Sequence, residues 1–247
     1  MALTRVPLNT LSPRQQLRAG RLGRRLPQLA VGLTLYGFSM AMMVRAGLGL
    51  APWDVLHVGL ESHLPLTFGQ VTMVVGAVVL ALWWPLRQWP GLGTLANVVV
   101  IGVVSDLGLA VLSPPGGLTE RAALLLAGIV LNGIAGGLYV GSQLGPGPRD
   151  GLMIGLARRN GWSLRLVRTG LELAVLVVGW LLGGGVGLGT VAYALLIGPI
   201  VQLVLPRVTV PLRVSVDLGV SSDPGDPSDP AQPALARAKG STADAPA

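Results

Sequence analysis

Two aspartates of this chain stand in matching surroundings, each two residues after a proline and five after a glycine. Asp54 closes the run Gly49-Leu50-Ala51-Pro52-Trp53-Asp54, and Asp150 closes Gly145-Pro146-Gly147-Pro148-Arg149-Asp150. Glycine and proline break a preceding helix, proline suits the first turn of a new one, and a carboxylate in that turn complements the helix dipole and its free amides. Each segment therefore reads as an unwound stretch followed by a short helix of about 10 residues, about 15 Å long by helical rise and half a bilayer deep. Held re-entrantly, two such half-helices would bring their N-termini toward the midplane from opposite sides and frame a site for a small solute or a coupling ion. The candidate contacts are Gly49, Pro52, Trp53 and Asp54 in one copy and Gly145, Pro148 and Asp150 in the other. The alternative is a pair of interfacial helices at the two membrane surfaces, each aspartate capping only its own first turn.

Further polar residues qualify by position. Asp54, His57 and Glu61 lie at helical spacing, as a proton relay or a solvated outer face would require; their counterparts Asp150, Met153 and Ala157 do not repeat the pattern. Asp106 and Glu172 fall inside apolar runs, where a charge is costly. Glu172 has Arg168 one turn earlier and reads as half of an ion pair, whereas Asp106 lacks a local partner and stays a site candidate. Asn97, Asn132 and Gln202 read as hydrogen-bonding links between helices. The chain has no cysteine and two histidines. It shows no Ser/His/Asp order and no metal-ligand spacing, so neither an enzyme, a metal site nor a cofactor is expected. The Gly91-Leu92-Gly93-Thr94 stretch lacks the strand and lysine of a phosphate-cradling loop. Thr94 and Thr190 read as helix N-caps.

The elements that must hold these residues are set by the apolar runs. Half of the 247 residues are hydrophobic and 12% are charged, and the apolar stretches are long enough to make the lipid bilayer the solvent. Six spans are expected at 27–46, 67–86, 92–112, 121–142, 164–183 and 187–205. Residues 1–26 form a basic N-terminal segment, and 206–247, rich in Ser, Asp and Pro, read as a disordered tail. With the N-terminus in the cytoplasm, sixteen of the 18 Lys and Arg lie inside, and only Arg45 and Arg121 outside. Both termini are then cytoplasmic in a multi-pass bacterial inner-membrane protein. The basic residues form no aromatic-interleaved patch, so nucleic acid is not an expected partner.

Shifting the chain by 96 residues aligns 31–112 with 127–208 without a gap, with 25 identities in 82 positions. The chain is an internal duplication. Each unit, 27–112 and 121–205, holds three spans, and an odd number inserts the second unit upside down relative to the first. The expected fold is all-α: six transmembrane helices as two inverted three-helix repeats, each with a short broken or re-entrant helix. The functions that fit are a secondary transporter or permease for a small molecule or ion, with its site where the repeats meet, or a membrane scaffold or regulatory subunit. An oligomer is compatible with either.

The blocks Ala46-Gly47-Leu48-Gly49, Pro52-Trp53-Asp54-Val55-Leu56, Gly91-Leu92-Gly93-Thr94 and Ile101-Gly102 give the chain a resemblance to the YczE branch of the YczE/YyaS/YitT group of bacterial membrane proteins, over roughly residues 27–205. The resemblance implies a multi-span inner-membrane protein of permease type and carries over no catalytic residues. The second copy departs from it with Pro148-Arg149-Asp150 in place of Pro-Trp-Asp.

Overall fold

The computed structural model describes residues 12–212, and the part of the expected tail beyond Leu212 lies outside the described residues. Helices α1 (Pro13–Arg18) and α2 (Leu22–Ala46) are followed by the short α3 (Pro52–Glu61), then α4 (Phe68–Ala81) and α5 (Leu92–Val111). The second unit repeats that order as α6 (Leu118–Gly141), the short α7 (Pro148–Asn160), α8 (Leu164–Leu181) and α9 (Leu188–Val208). No strand occurs among the described residues.

Four helices, α2, α5, α6 and α9, are long and apolar enough to cross a membrane, where the sequence leads one to expect six. The two that differ have identifiable causes. Helix α4 keeps regular geometry for 14 residues, about 21 Å by helical rise, before loosening into turns through Arg87. Helix α8 carries Arg165, Arg168 and Glu172 in its first half. The ends also move. Helix α2 starts at Leu22, inside the segment expected to precede the first span. Helix α9 runs through Pro206, where the tail was expected to begin, and Val210 beyond it is buried and bonded to the Gly141 carbonyl.

The core is an antiparallel pair, α2 against α6. A methyl group added at Gly32 would meet Tyr139 in the last turns of α6, and one added at Gly128 would meet Met43 near the end of α2, so each helix start faces the other's end. Helix α5 packs on α2 and α9 on α6. Gly133 and Gly137 let Ile200 and Val204 of α9 approach closely, as their four-residue spacing leads one to expect.

Two sets of polar contacts tie the units together. Fully buried Arg25 donates from Nε to the Ser142 carbonyl (2.8 Å) and from Nη2 to that of Gln143 (2.7 Å), at the end of α6. Arg121, 96 residues on, donates from Nε to the Ala46 carbonyl and from Nη2 to that of Gly47 (both 2.7 Å), at the end of α2. Guanidinium groups thus satisfy the orphan carbonyls of two helix ends.

The second set holds the broken loops. The Gly93 amide donates to the Leu144 carbonyl (2.7 Å), and the Gly189 amide to that of Leu48 (2.8 Å). Thr94 donates to the Pro146 carbonyl (2.7 Å), while the Leu50 amide donates to Thr190 (3.1 Å). The Gly-Leu-Gly-Thr blocks are therefore docks for the opposite unit's loop. Both threonines sit in the first helical turn, and the N-cap positions expected for them belong to Gly91 and Gly187.

The two units differ in how tightly they close. Helix α4 packs along α5, while the corresponding α8 and α9 share little or no contact. A methyl group at Gly102 of α5 would strike Met73 and the Gly69 carbonyl of α4, whereas its counterpart Gly198 faces open space.

Candidate functional site

Both short helices are clamped between longer ones. Helix α3 lies on α8 through Gly59 and Gly179, so close that a methyl group at Gly59 would be 2.6 Å from the Gly179 carbonyl oxygen. Helix α7 meets the turn after α4 through Gly151, over which the Trp83 indole is laid, its Nε1 donating to the Pro148 carbonyl (3.0 Å). Trp83 and Gly179 are counterparts, as are Val55 and Gly151: Gly179 also lies against the Val55–Leu56 backbone, and Trp83 against Gly151. Gly49 and Gly145 hold left-handed backbone (φ 116° and 125°) that a side chain would strain, and each abuts Gly187 or Gly91. Their role is to seat the loop.

The N-termini of α3 and α7 converge. The Arg149 guanidinium lies over the Trp53 indole (4.9 Å to the ring centre) and comes within 3.8 Å of Asp54 Oδ1. His57 Nδ1 lies 3.6 Å from the same oxygen. Asp54 and His57 are only 2% and 1% exposed. Thr72 donates its hydroxyl proton to the Phe68 carbonyl (2.9 Å) and so accepts from His57 Nδ1 (3.2 Å). In the neutral imidazole that places the proton on Nδ1 and leaves Nε2 an acceptor. His57 Nε2, Trp53 Nε1 and Asp54 Oδ1 are buried without a hydrogen-bond partner.

Trp53 and His57 border a cavity of about 1030 Å³ reached by α2 to α9. Asp150 opens into it, as do Arg149 and the pair Arg168 Nε–Glu172 Oε1 (3.0 Å). All three tyrosines of the chain, Tyr36, Tyr139 and Tyr193, line it as well. Tyr193 donates to Asn132 Oδ1 (3.1 Å), and Asn132 Nδ2 donates to Ser39 (2.8 Å), so the inter-helix link expected at Asn132 exists and reaches the cavity wall. The cavity extends to Arg87, Trp89 and Arg158 and to the start of α1 at Ser12.

The candidates from sequence divide into three groups. Pro52, Trp53, His57, Gly145, Pro148 and Asp150 line the cavity, while Gly49 and the buried Asp54, next to Trp53 in the chain, are not among its lining residues. Asp106 lies elsewhere, accepting from the Thr67 hydroxyl and the Gly69 amide (2.7 Å), where it fastens the start of α4 to α5. Glu61 is half-buried at the far end of α3 and is not part of the cavity lining. The sequence gives no pointer to the tyrosines, and Arg149 reads there as a departure from the Pro-Trp-Asp pattern.

Residues 23–206 match the family described as "Family of unknown function (DUF6198)". A Haemophilus influenzae protein named "Uncharacterized protein" is 40% identical over 177 residues, covering 72% of this chain and 81% of that protein. The "Uncharacterized membrane protein YczE" of Bacillus subtilis is 36% identical over 178 residues, covering 71% of this chain and 83% of its own length. "Uncharacterized protein YyaS" of the same bacterium is 25% identical over 180 residues, or 71% and 90%. No solved structure matches.

Proposed function

The chain belongs to the family of unknown function DUF6198, that of the YczE-type membrane proteins, and on that footing we propose that it is a secondary transporter for a small solute. Its architecture in this reading is six spans in two inverted repeats, with α4 and α8 completing the six and α3 and α7 as re-entrant half-helices. The antiparallel α2–α6 pair and the reciprocal contacts of Arg25 and Arg121 support the inversion. The single observation that carries the transport reading is the cavity between the units, into which both half-helix N-termini point with Arg149 of one on Trp53 and Asp54 of the other. Paired half-helix ends at a repeat interface are how such transporters hold solutes and coupling ions.

The unequal closure of the two units fits one state of an alternating-access cycle. Fastened α4–α5 seals one side and the parted α8–α9 leaves the other open; exchanging the two arrangements would reverse access. By the distribution of basic residues the open side is cytoplasmic, since Arg87 and Arg158 stand at its edge.

The test is uptake into proteoliposomes of a panel of labelled amino acids, amines and carboxylates under an imposed proton or sodium gradient. Gradient-dependent accumulation of at least one solute by the wild type is the expected result. Absence of uptake across the panel, with a soluble protein retained at fixed stoichiometry through purification, would turn the reading to a membrane scaffold.

A further inference from the structure

Beside the mouth of the main cavity, the turn after α4 and the end of α7 enclose a recess of about 460 Å³. Arg87, Arg158 and Arg159 line it together with Gln88 and Gly155, and no carboxylate does so among the described residues. Arg159 donates to the Pro85 carbonyl (3.2 Å), which fixes one guanidinium at the rim.

Arg87 is held in left-handed backbone, φ 52°, a conformation that strains any residue with a Cβ. Its counterpart in the second unit is Gly183 at φ 90°, a residue that takes this backbone without strain. Arg158 and Arg159 likewise replace the positions of Ser62 and His63. The first unit thus keeps a strained backbone where glycine would relax it, and the side chain so retained joins two arginines from the second unit in a pocket with no counter-charge. A general preference for basic residues on the cytoplasmic side needs charge on that face, but neither a recess nor a left-handed arginine.

Trp84, Trp89 and Trp162 each lie within three residues of one of these arginines in the chain and are each more than half exposed. Indoles so placed mark the headgroup level of a bilayer. We propose that the recess binds the phosphate of an anionic phospholipid headgroup, with Arg87 and Arg158 as its principal ligands, Arg159 at the rim and the acyl chains leaving along the tryptophans. The proposal requires only that the chain sits in a membrane, and stands apart from whether the main cavity transports.

The experiment compares protein in nanodiscs of pure phosphatidylcholine with protein in nanodiscs containing phosphatidylglycerol, reading melting temperature, and counts lipids retained in native mass spectra. Phosphatidylglycerol should raise the melting temperature of the wild type by several degrees and remain bound where phosphatidylcholine is lost. Arg87→Gly should melt no lower than wild type in pure phosphatidylcholine, because it relieves the backbone, yet lose the phosphatidylglycerol-dependent shift. Arg158→Gln should lose that shift too, and Arg165→Gln, at an exposed arginine outside the recess, should keep it. An undiminished shift in both recess variants would overturn the site. A shift of equal size from inorganic phosphate added to pure phosphatidylcholine nanodiscs would overturn the lipid as its occupant.

Discussion

Asp54 is enclosed by positive or proton-bearing groups from two halves of the chain: His57 one turn along its own helix and Arg149 at the start of the other short helix. Asparagine keeps the shape but removes the charge that sets where Arg149 points. Arg149 retains the Trp53 face and contact with the cavity, so the loss of stability should be modest, about 1–2 kcal/mol. Asp54→Asn should therefore remain folded while abolishing uptake of any solute the wild type accumulates. In a double-mutant cycle on melting free energy with Arg149→Gln, the pair should show a coupling of about 1 kcal/mol. Full uptake by Asp54→Asn, or no coupling, would show the pair to be incidental. The aspartates were legible because Gly-x-x-Pro-x-Asp survives in both copies. Arg149 was not, since its partner lies 95 positions away in the chain and is the residue pair whose pattern it breaks.

The capping arginines belong to the scale of the helices. Arg25 is buried and donates to four carbonyls, those of Gln16, Gly20, Ser142 and Gln143, holding α1 and the end of α6 at once. Arg121 serves two carbonyls at a more exposed site. Hydrogen bonds from a charged donor are the stronger kind, and a buried carbonyl left unpaired adds its own penalty. Arg25→Ala should lower unfolding free energy in detergent by about 3 kcal/mol or more, and Arg121→Ala by about 1–2 kcal/mol. Equal small losses would mean that water replaces both caps. Helices and breaks were readable from apolar runs and from glycine and proline, but four of the six expected spans are long and apolar enough to cross a membrane, and helix ends were not readable: Pro206 and Arg207 look like the start of a tail, yet α9 continues through them. The repeat, aligned from residue 31, also continues upstream through Leu29 with Leu125 and Arg25 with Arg121. These paired arginines lie six positions beyond the gap-free match, in a stretch whose basic character suggested only a membrane flank.

For the molecule as a whole, the three spans per unit of the proposed architecture and the sixteen-to-two split of basic residues predict one topology. A reporter fused after Leu212 should be active only in the cytoplasm, and one inserted at exposed Gly116 only on the opposite side. Activity of both on one side would remove the inverted repeat. The duplication made the repeated order of long and short helices visible in advance, but not the asymmetry between the copies, which arises where they drifted: Trp83 against Gly179, and Thr72 and Gly76 of α4 against Arg168 and Glu172 of α8. The exchange of arginine caps and docked loops has a bearing on descent. The arginine on each first helix's end and the glycine amide that docks each broken loop come from the other half. In the proposed inverted arrangement, a forebear with a single unit would have found those groups only on a sibling molecule inserted the other way up, and fusion of the halves would have made that partnership permanent.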